Sequence, residues 1–128
     1  MTLKRILIID DDEAIRKVFI LALEGTGFQA DTAPSGEKGI ELVQQVKYDL
    51  IYLDLKMPQM DGVQTLRKIR EMEKEIPVYI ITAFYGEFLE ELKKTEADGI
   101  DFELLKKPMG LDQIVSITRG ILEGPISY

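Results

Sequence analysis

The sequence predicts an α/β fold: one doubly wound parallel sheet with helices on both faces. Three observations predict it. Ile6-Leu7-Ile8-Ile9, Leu50-Ile51-Tyr52-Leu53 and Val78-Tyr79-Ile80-Ile81 are continuously apolar, as strands buried on both faces are. The stretches between them repeat apolar residues at helical spacing. Strands and helices alternate strictly, which implies parallel strands joined by right-handed crossovers.

Strand 1 covers 4–9 and leads into helix 1 at 12–25, whose apolar stripe is Ile15, Val18, Phe19 and Ala22. Gly25 and Gly27 stop that helix. Strand 2, at 28–33, alternates and is weakly apolar, which suits a sheet edge. Ser35 is placed to cap helix 2 at 36–47. Strand 3 covers 49–54, and helix 3 (63–73) turns Val63, Leu66 and Ile69 toward the core. Strand 4 covers 77–82. Helix 4 (87–96) is thin, with Phe88, Leu89 and Leu92 followed by the polar run Lys93-Lys94-Thr95-Glu96, and reads as a mobile, weakly anchored element. Strand 5 (101–106) is mixed and suits the other edge. Helix 5 (111–123) repeats Leu111, Ile114, Val115, Thr118, Ile121 and Leu122.

With strands 1, 3 and 4 central and 2 and 5 at the edges, the order is 2-1-3-4-5, the flavodoxin-like winding. Its switch point lies between strands 1 and 3, and ligands in such sheets bind outside the carboxyl ends of the strands there. Residues 1–123 form one domain. The segment 124–128 reads as a natural terminus or as the start of a linker.

Composition narrows the chemistry. The 128 residues contain no cysteine and no histidine, which excludes disulfides, thiolate metal sites and histidine catalysis. The longest apolar stretches are strand-sized, so no membrane span and no signal peptide are expected, and the cytoplasm is the expected location. A net charge of −7 argues against direct nucleic-acid binding.

Carboxylates gather where strands stop. Asp10-Asp11-Asp12-Glu13 follows strand 1, and Asp54 ends strand 3. If those strands are neighbours, Asp10, Asp11 and Asp54 converge at one sheet edge, where a divalent cation would neutralise them. Asp12 and Glu13 fall in the first turn of helix 1, where carboxylates favour the positive end of the helix dipole.

Four signatures in order carry a resemblance: Asp10-Asp11, the block Leu53-Asp54-Leu55-Lys56-Met57-Pro58-Gln59-Met60-Asp61-Gly62, Thr82-Ala83, and Lys107-Pro108. Together they make nearly the whole chain resemble the receiver domain of two-component response regulators (the CheY-like superfamily). The resemblance implies that Asp54 accepts a phosphoryl group from a sensor histidine kinase or a histidine phosphotransfer protein. It implies Mg²⁺ as cofactor, held by Asp11, Asp54 and the backbone carbonyl of Lys56, with Asp10 reaching it through water. Lys107 resembles the lysine that pairs with a phosphoryl oxygen, on a bond to Pro108 that the family holds cis; Lys106 competes for that role. Thr82 resembles the switch hydroxyl. The implied output is a shift of the helix 4–strand 5–helix 5 face that controls an output domain or effector protein, and a homodimer on phosphorylation is left open. The activity is self-modification rather than turnover, with no membrane and no nucleic-acid contact by this domain.

The chain also departs from that pattern. The strand-5 position that commonly holds an aromatic is Leu104, while Phe102 lies two residues earlier, so the switch set is Thr82 with Phe102 or Leu104. Between Thr82 and Lys107 lie 24 residues, a few more than usual. Lys56 and Phe84 flank the chemistry and offer no carboxylate or amide to orient an attacking water, which implies a comparatively long-lived phosphoryl group.

Overall fold

The computed structural model describes residues 3–107 and 109–124. Its five parallel strands are β1 (Arg5–Ile9), β2 (Gln29–Ala33), β3 (Leu50–Leu53), β4 (Val78–Thr82) and β5 (Glu103–Lys106). They run in the order β2-β1-β3-β4-β5, the expected flavodoxin-like winding, with the continuously apolar strands in the centre. The helices are α1 (Glu13–Leu23), α2 (Gly36–Gln45), α3 (Gly62–Met72), α4 (Leu89–Ala97) and α5 (Leu111–Glu123). A single 3-10 turn, Tyr85–Phe88, precedes α4 and takes the place of the first helical residues expected there.

Period-two alternation divides the central strands between two cores. Leu7, Ile9, Ile51, Leu53, Val78 and Ile80 face α2, α3 and α4, where they meet Val43, Val63, Leu66, Ile69 and Leu92. Ile6, Ile8, Leu50, Tyr52 and Ile81 face α1 and α5, meeting Phe19, Ala22, Leu23 and Ile114. Within this second core the Tyr52 hydroxyl lies 2.7 Å from Thr118 Oγ1, and burial pushes the phenol up to about 12. This buried polar tip in an apolar layer is therefore satisfied.

Helix boundaries follow local chemistry. Asp12 caps α1 by accepting the Ala14 N–H at 2.9 Å, and Glu13 pairs with Lys17 at 3.0 Å, so both act at the helix start as expected. Ser35 accepts the Lys38 N–H at 3.1 Å at the start of α2. Asp61 and Gln64 form a reciprocal capping box on α3.

Three expectations need correction. Leu111 belongs to the apolar stripe of α5 by spacing yet is exposed, because periodicity marks a face and not where the covering strands stop. Strand 5 starts at Glu103 rather than at 101, because Arg70 takes the Asp101 carbonyl at 2.8 Å and holds it out of the ladder. The far end of α4 is fastened: Arg67 bonds Asp98 Oδ2 at 2.7 Å and Thr95 Oγ1 at 3.3 Å, and Thr95 is fully buried. Arg70 adds the Ile76 carbonyl at 2.7 Å. Two α3 arginines thus tie down the segment from α4 to β5.

Candidate functional site

β1 and β3 are adjacent and in register, with Ile9 opposite Leu53. The next residue on each strand is therefore an aspartate at the same sheet edge. The ladder continues one step further, since Asp54 N–H donates to the Ile9 carbonyl at 2.9 Å. Asp10 N–H bonds the Ala33 carbonyl at 3.1 Å, which pins the end of β1 to β2. Asp10 and Asp54 are buried, 3% and 4% exposed, while Asp11 is exposed at the rim. One oxygen from each of the three lies within 4.8 Å of the others, so the predicted carboxylates do converge.

Lys107 reaches this cluster from the end of β5. Its Nζ is 2.8 Å from Asp10 Oδ2 and 3.5 Å from Asp54 Oδ1. Burial opposes its charge, but the bond to Asp10 and the charge of Asp54 outweigh it and hold the ammonium above its ordinary pKa. Lys106, the alternative, is exposed and lines a cavity on the neighbouring surface. Pro108, and with it the expected cis bond, lies outside the described residues.

Asp54 carries the strain of the cluster. Burial and then the charge of Asp10 push its carboxyl up to about 6, against the pull of Lys107 and of the Leu55 N–H that donates to Oδ1 at 2.9 Å. Three carboxylates against one ammonium leave a site short of about two positive charges. That deficit, the all-oxygen donor set and the open rim at Asp11 suit a hard divalent cation that retains waters.

The loop after β3 is held tight around the site. Gly62 N–H donates to the Leu55 carbonyl at 2.8 Å, and a Cβ at Gly62 would collide with the Asp54 carbonyl oxygen and lie 2.7 Å from Leu55 Cα. Gln59 sits at φ 68° between Pro58 and Met60, whose N–H returns to the Pro58 carbonyl at 2.8 Å.

Thr82 ends β4 and is buried, with its hydroxyl accepting the Phe84 N–H at 2.9 Å. Its carbonyl takes the Lys107 N–H at 3.2 Å, so the threonine and the lysine belong to one stretch of ladder. Phe102 precedes β5 and packs into the α3–α4 core. Leu104 is 37% exposed, on the rim of a cavity of about 310 Å³ shared with Thr82, Tyr85, Leu105 and Lys106.

Two features escaped the sequence reading. Arg16 donates to the Asp10 carbonyl at 2.9 Å, and its position one turn into α1 was the available signal. Lys56 Nζ pairs with Glu87 Oε1 at 3.3 Å and lies 4.3 Å above the Phe84 ring, which links the loop after β3 to the 3-10 turn before α4.

The model of the response regulator receiver domain matches residues 6–119. The chain is 30% identical over 121 residues to the regulatory protein AtoC of Escherichia coli, covering 94% of this chain and 26% of that protein. It is 35% identical to the DNA-binding dual master transcriptional regulator RpaA of Synechocystis, covering 92% of this chain and 48% of that one. The chain thus spans between about a quarter and about half of these relatives. Among solved structures, the response regulator TrrA of Thermotoga maritima in complex with Mg²⁺-BeF superposes with a TM-score of 0.77 at 30% identity, covering 94% of this chain and 100% of that one. The receiver domain protein of Methanospirillum hungatei gives 0.82 at 27% identity, covering 96% and 97%. Vibrio cholerae CheY4, at 24% identity and a TM-score of 0.82, shares the fold. With its acidic strand ends, its lysine and its winding in place, this chain belongs to the response regulator receiver domain family of two-component systems.

Proposed function

We propose that the chain is a phosphorylation-controlled switch whose phosphoacceptor is Asp54. The observation that carries this reading is the convergence of Asp10, Asp11 and Asp54 within 4.8 Å, with Lys107 reaching two of them. The division into a receiver at 1–123 and a tail at 124–128 belongs to the same proposal, although 125–128 lie outside the described residues.

Asp11, Asp54 and the Lys56 carbonyl would hold Mg²⁺, with Asp10 in contact through water. The ion would supply positive charge to the phosphoryl oxygens in the transition state. A carboxylate oxygen of Asp54 attacks the phosphorus of a phosphohistidine donor. The Asp54 O–P bond forms as the donor N–P bond breaks, and the departing imidazole keeps the electron pair and takes a proton. Lys107 is already charged and already beside Asp54, so it needs no rearrangement to pair with a phosphoryl oxygen. Thr82 would turn its hydroxyl from the Phe84 N–H toward the new group.

The donor is a sensor histidine kinase or a histidine phosphotransfer protein, and the readout is an output domain or effector protein that meets the α4–β5–α5 face. The Mg²⁺-BeF complex of TrrA and the regulators named above support this assignment. Leu104 at the rim of the cavity, and not the core-packed Phe102, is the strand-5 residue free to change its packing. Lys56 and Phe84, which offer no carboxylate or amide to orient an attacking water, support slow loss of the phosphoryl group. Among the described residues no helix is long and apolar enough to cross a membrane.

The test is intact mass after incubation with phosphoramidate and Mg²⁺. One phosphoryl group, stable in acid and labile in base, is expected on the native chain and none on Asp54→Asn. Phosphoryl gain by Asp54→Asn would sink the assignment.

A further inference from the structure

The carboxylate cluster and Lys107 do not by themselves balance the charge of a phosphorylated site. Asp10, Asp11 and Asp54 carry three negative charges, which one divalent cation and Lys107 balance. A phosphoryl group adds about one further negative charge to Asp54 at neutral pH. The loaded site is then short of one cation.

Two other cations lie nearby, and they differ in how they are held. Arg16 is committed to the Asp10 carbonyl at 2.9 Å, on a half-buried side chain. Lys56 is only two residues beyond Asp54, within about 7 Å along the backbone. Its current partners are Glu87, at 3.3 Å, and the face of Phe84, at 4.3 Å. Lys56 and Glu87 are 51% and 55% exposed, so their pairing is weak and easily outbid by a doubly charged group.

Phe84 precedes the 3-10 turn Tyr85–Phe88 and Glu87 lies within it, and the turn has no side-chain cap of its own. The far end of α4 is fixed by Arg67 through Asp98 and Thr95. At the near end, where Phe88 packs into the core, the polar fasteners among the described residues are one ion pair to the phosphoacceptor loop and the Phe84 N–H bond to Thr82. Both of these fasteners lead to groups that the phosphoryl group would attract.

We propose that Lys56 exchanges partners, leaving Glu87 and Phe84 for the phosphoryl oxygens on Asp54, and so releases the 3-10 turn while α4 pivots on its Arg67-anchored end. This inference rests on the phosphoacceptor reading of Asp54. It makes Lys56 a positioning residue that carries the charge change to the start of α4, independently of the Thr82 hydroxyl.

The test is a double-mutant cycle on the full chain with Lys56→Gln, Glu87→Gln and the double variant. Amide-exchange protection of residues 85–91 is read in Mg²⁺, with and without phosphoramidate, while intact mass reports loading. Without the donor, the two residues are expected to be coupled by about two- to five-fold in protection, the range of an exposed ion pair. With the native chain and the variants phosphorylated, the coupling is expected to disappear, and the native segment exchanges as fast as in unphosphorylated Glu87→Gln. Equal coupling in both states, or none in the first, overturns the exchange and leaves the phosphoacceptor standing. A native chain that gains no phosphoryl mass overturns both.

Discussion

Replacing Asp54 with Asn should stabilise the fold in the absence of divalent cations. The unfolded carboxyl titrates near its ordinary 3.8, whereas burial and the Asp10 charge raise it to about 6 in the fold. The folded state therefore holds this proton more tightly. The stability that follows is fully present below about pH 3.8 and is lost as pH rises through 6. A gap of about two pH units corresponds to about 3 kcal/mol at neutral pH, and solvent screening at the open rim reduces it to roughly 1–2 kcal/mol. Asn keeps the shape and an oxygen for the Leu55 N–H, which now donates to Oδ1 at 2.9 Å, so the substitution isolates the charge. Thermal unfolding in a chelator at pH 7.5 should place Asp54→Asn about 3–8 °C above the native chain. At pH 4 the gap should close to near zero. Added Mg²⁺ should reverse the order, because the native chain binds the ion and gains stability by linkage while the variant gains little. A variant less stable than the native chain at pH 7.5, or a difference that ignores pH, would refute the claim that Asp54 holds its charge at a cost.

Other substitutions test the frame around the site. Gly62→Ala should cost about 2–4 kcal/mol and weaken Mg²⁺ binding, since the new Cβ meets the backbone of Asp54 and Leu55; unfolding and calorimetry that match the native chain would contradict this. Gln59→Gly should raise stability by roughly 0.5–1 kcal/mol by relieving a side chain at φ 68°, and a lower melting temperature would argue against it. Tyr52→Phe should cost about 1 kcal/mol through the lost bond to Thr118, with phosphoryl acceptance unchanged; an undisturbed melting temperature would show that this bond contributes nothing net.

What could be read in the sequence follows from how each element is buried. β1, β3 and β4 are covered on both faces, so their composition alone marks them as central, and the edge strands β2 and β5 follow by exclusion. The carboxylates were legible for the same reason: Asp10 and Asp54 stand where wholly apolar strand runs end, and one register fixes both. Lys107 was harder to separate from Lys106 because adjacent residues on a strand differ only in the face they take. The beginning of β5, the anchoring of α4 and the Lys56–Glu87 pair were not legible. Each depends on a long side chain crossing between elements, Arg70 to Asp101, Arg67 to Asp98 and Lys56 to Glu87, and no local period records such a crossing. The 3-10 turn at Tyr85–Phe88 was missed because the apolar spacing of Phe88 and Leu92 fits an unbroken helix equally well.

The central claim is that the acidic ends of β1 and β3 together bind one magnesium ion and deliver a phosphoryl group to a single aspartate. Titration calorimetry of the native chain with Mg²⁺, beside Asp11→Asn and Asp54→Asn, tests it most directly. The account predicts one site per chain in the native protein and at least ten-fold weaker binding in each variant. Equal binding by all three proteins, or none by the native chain, would contradict it.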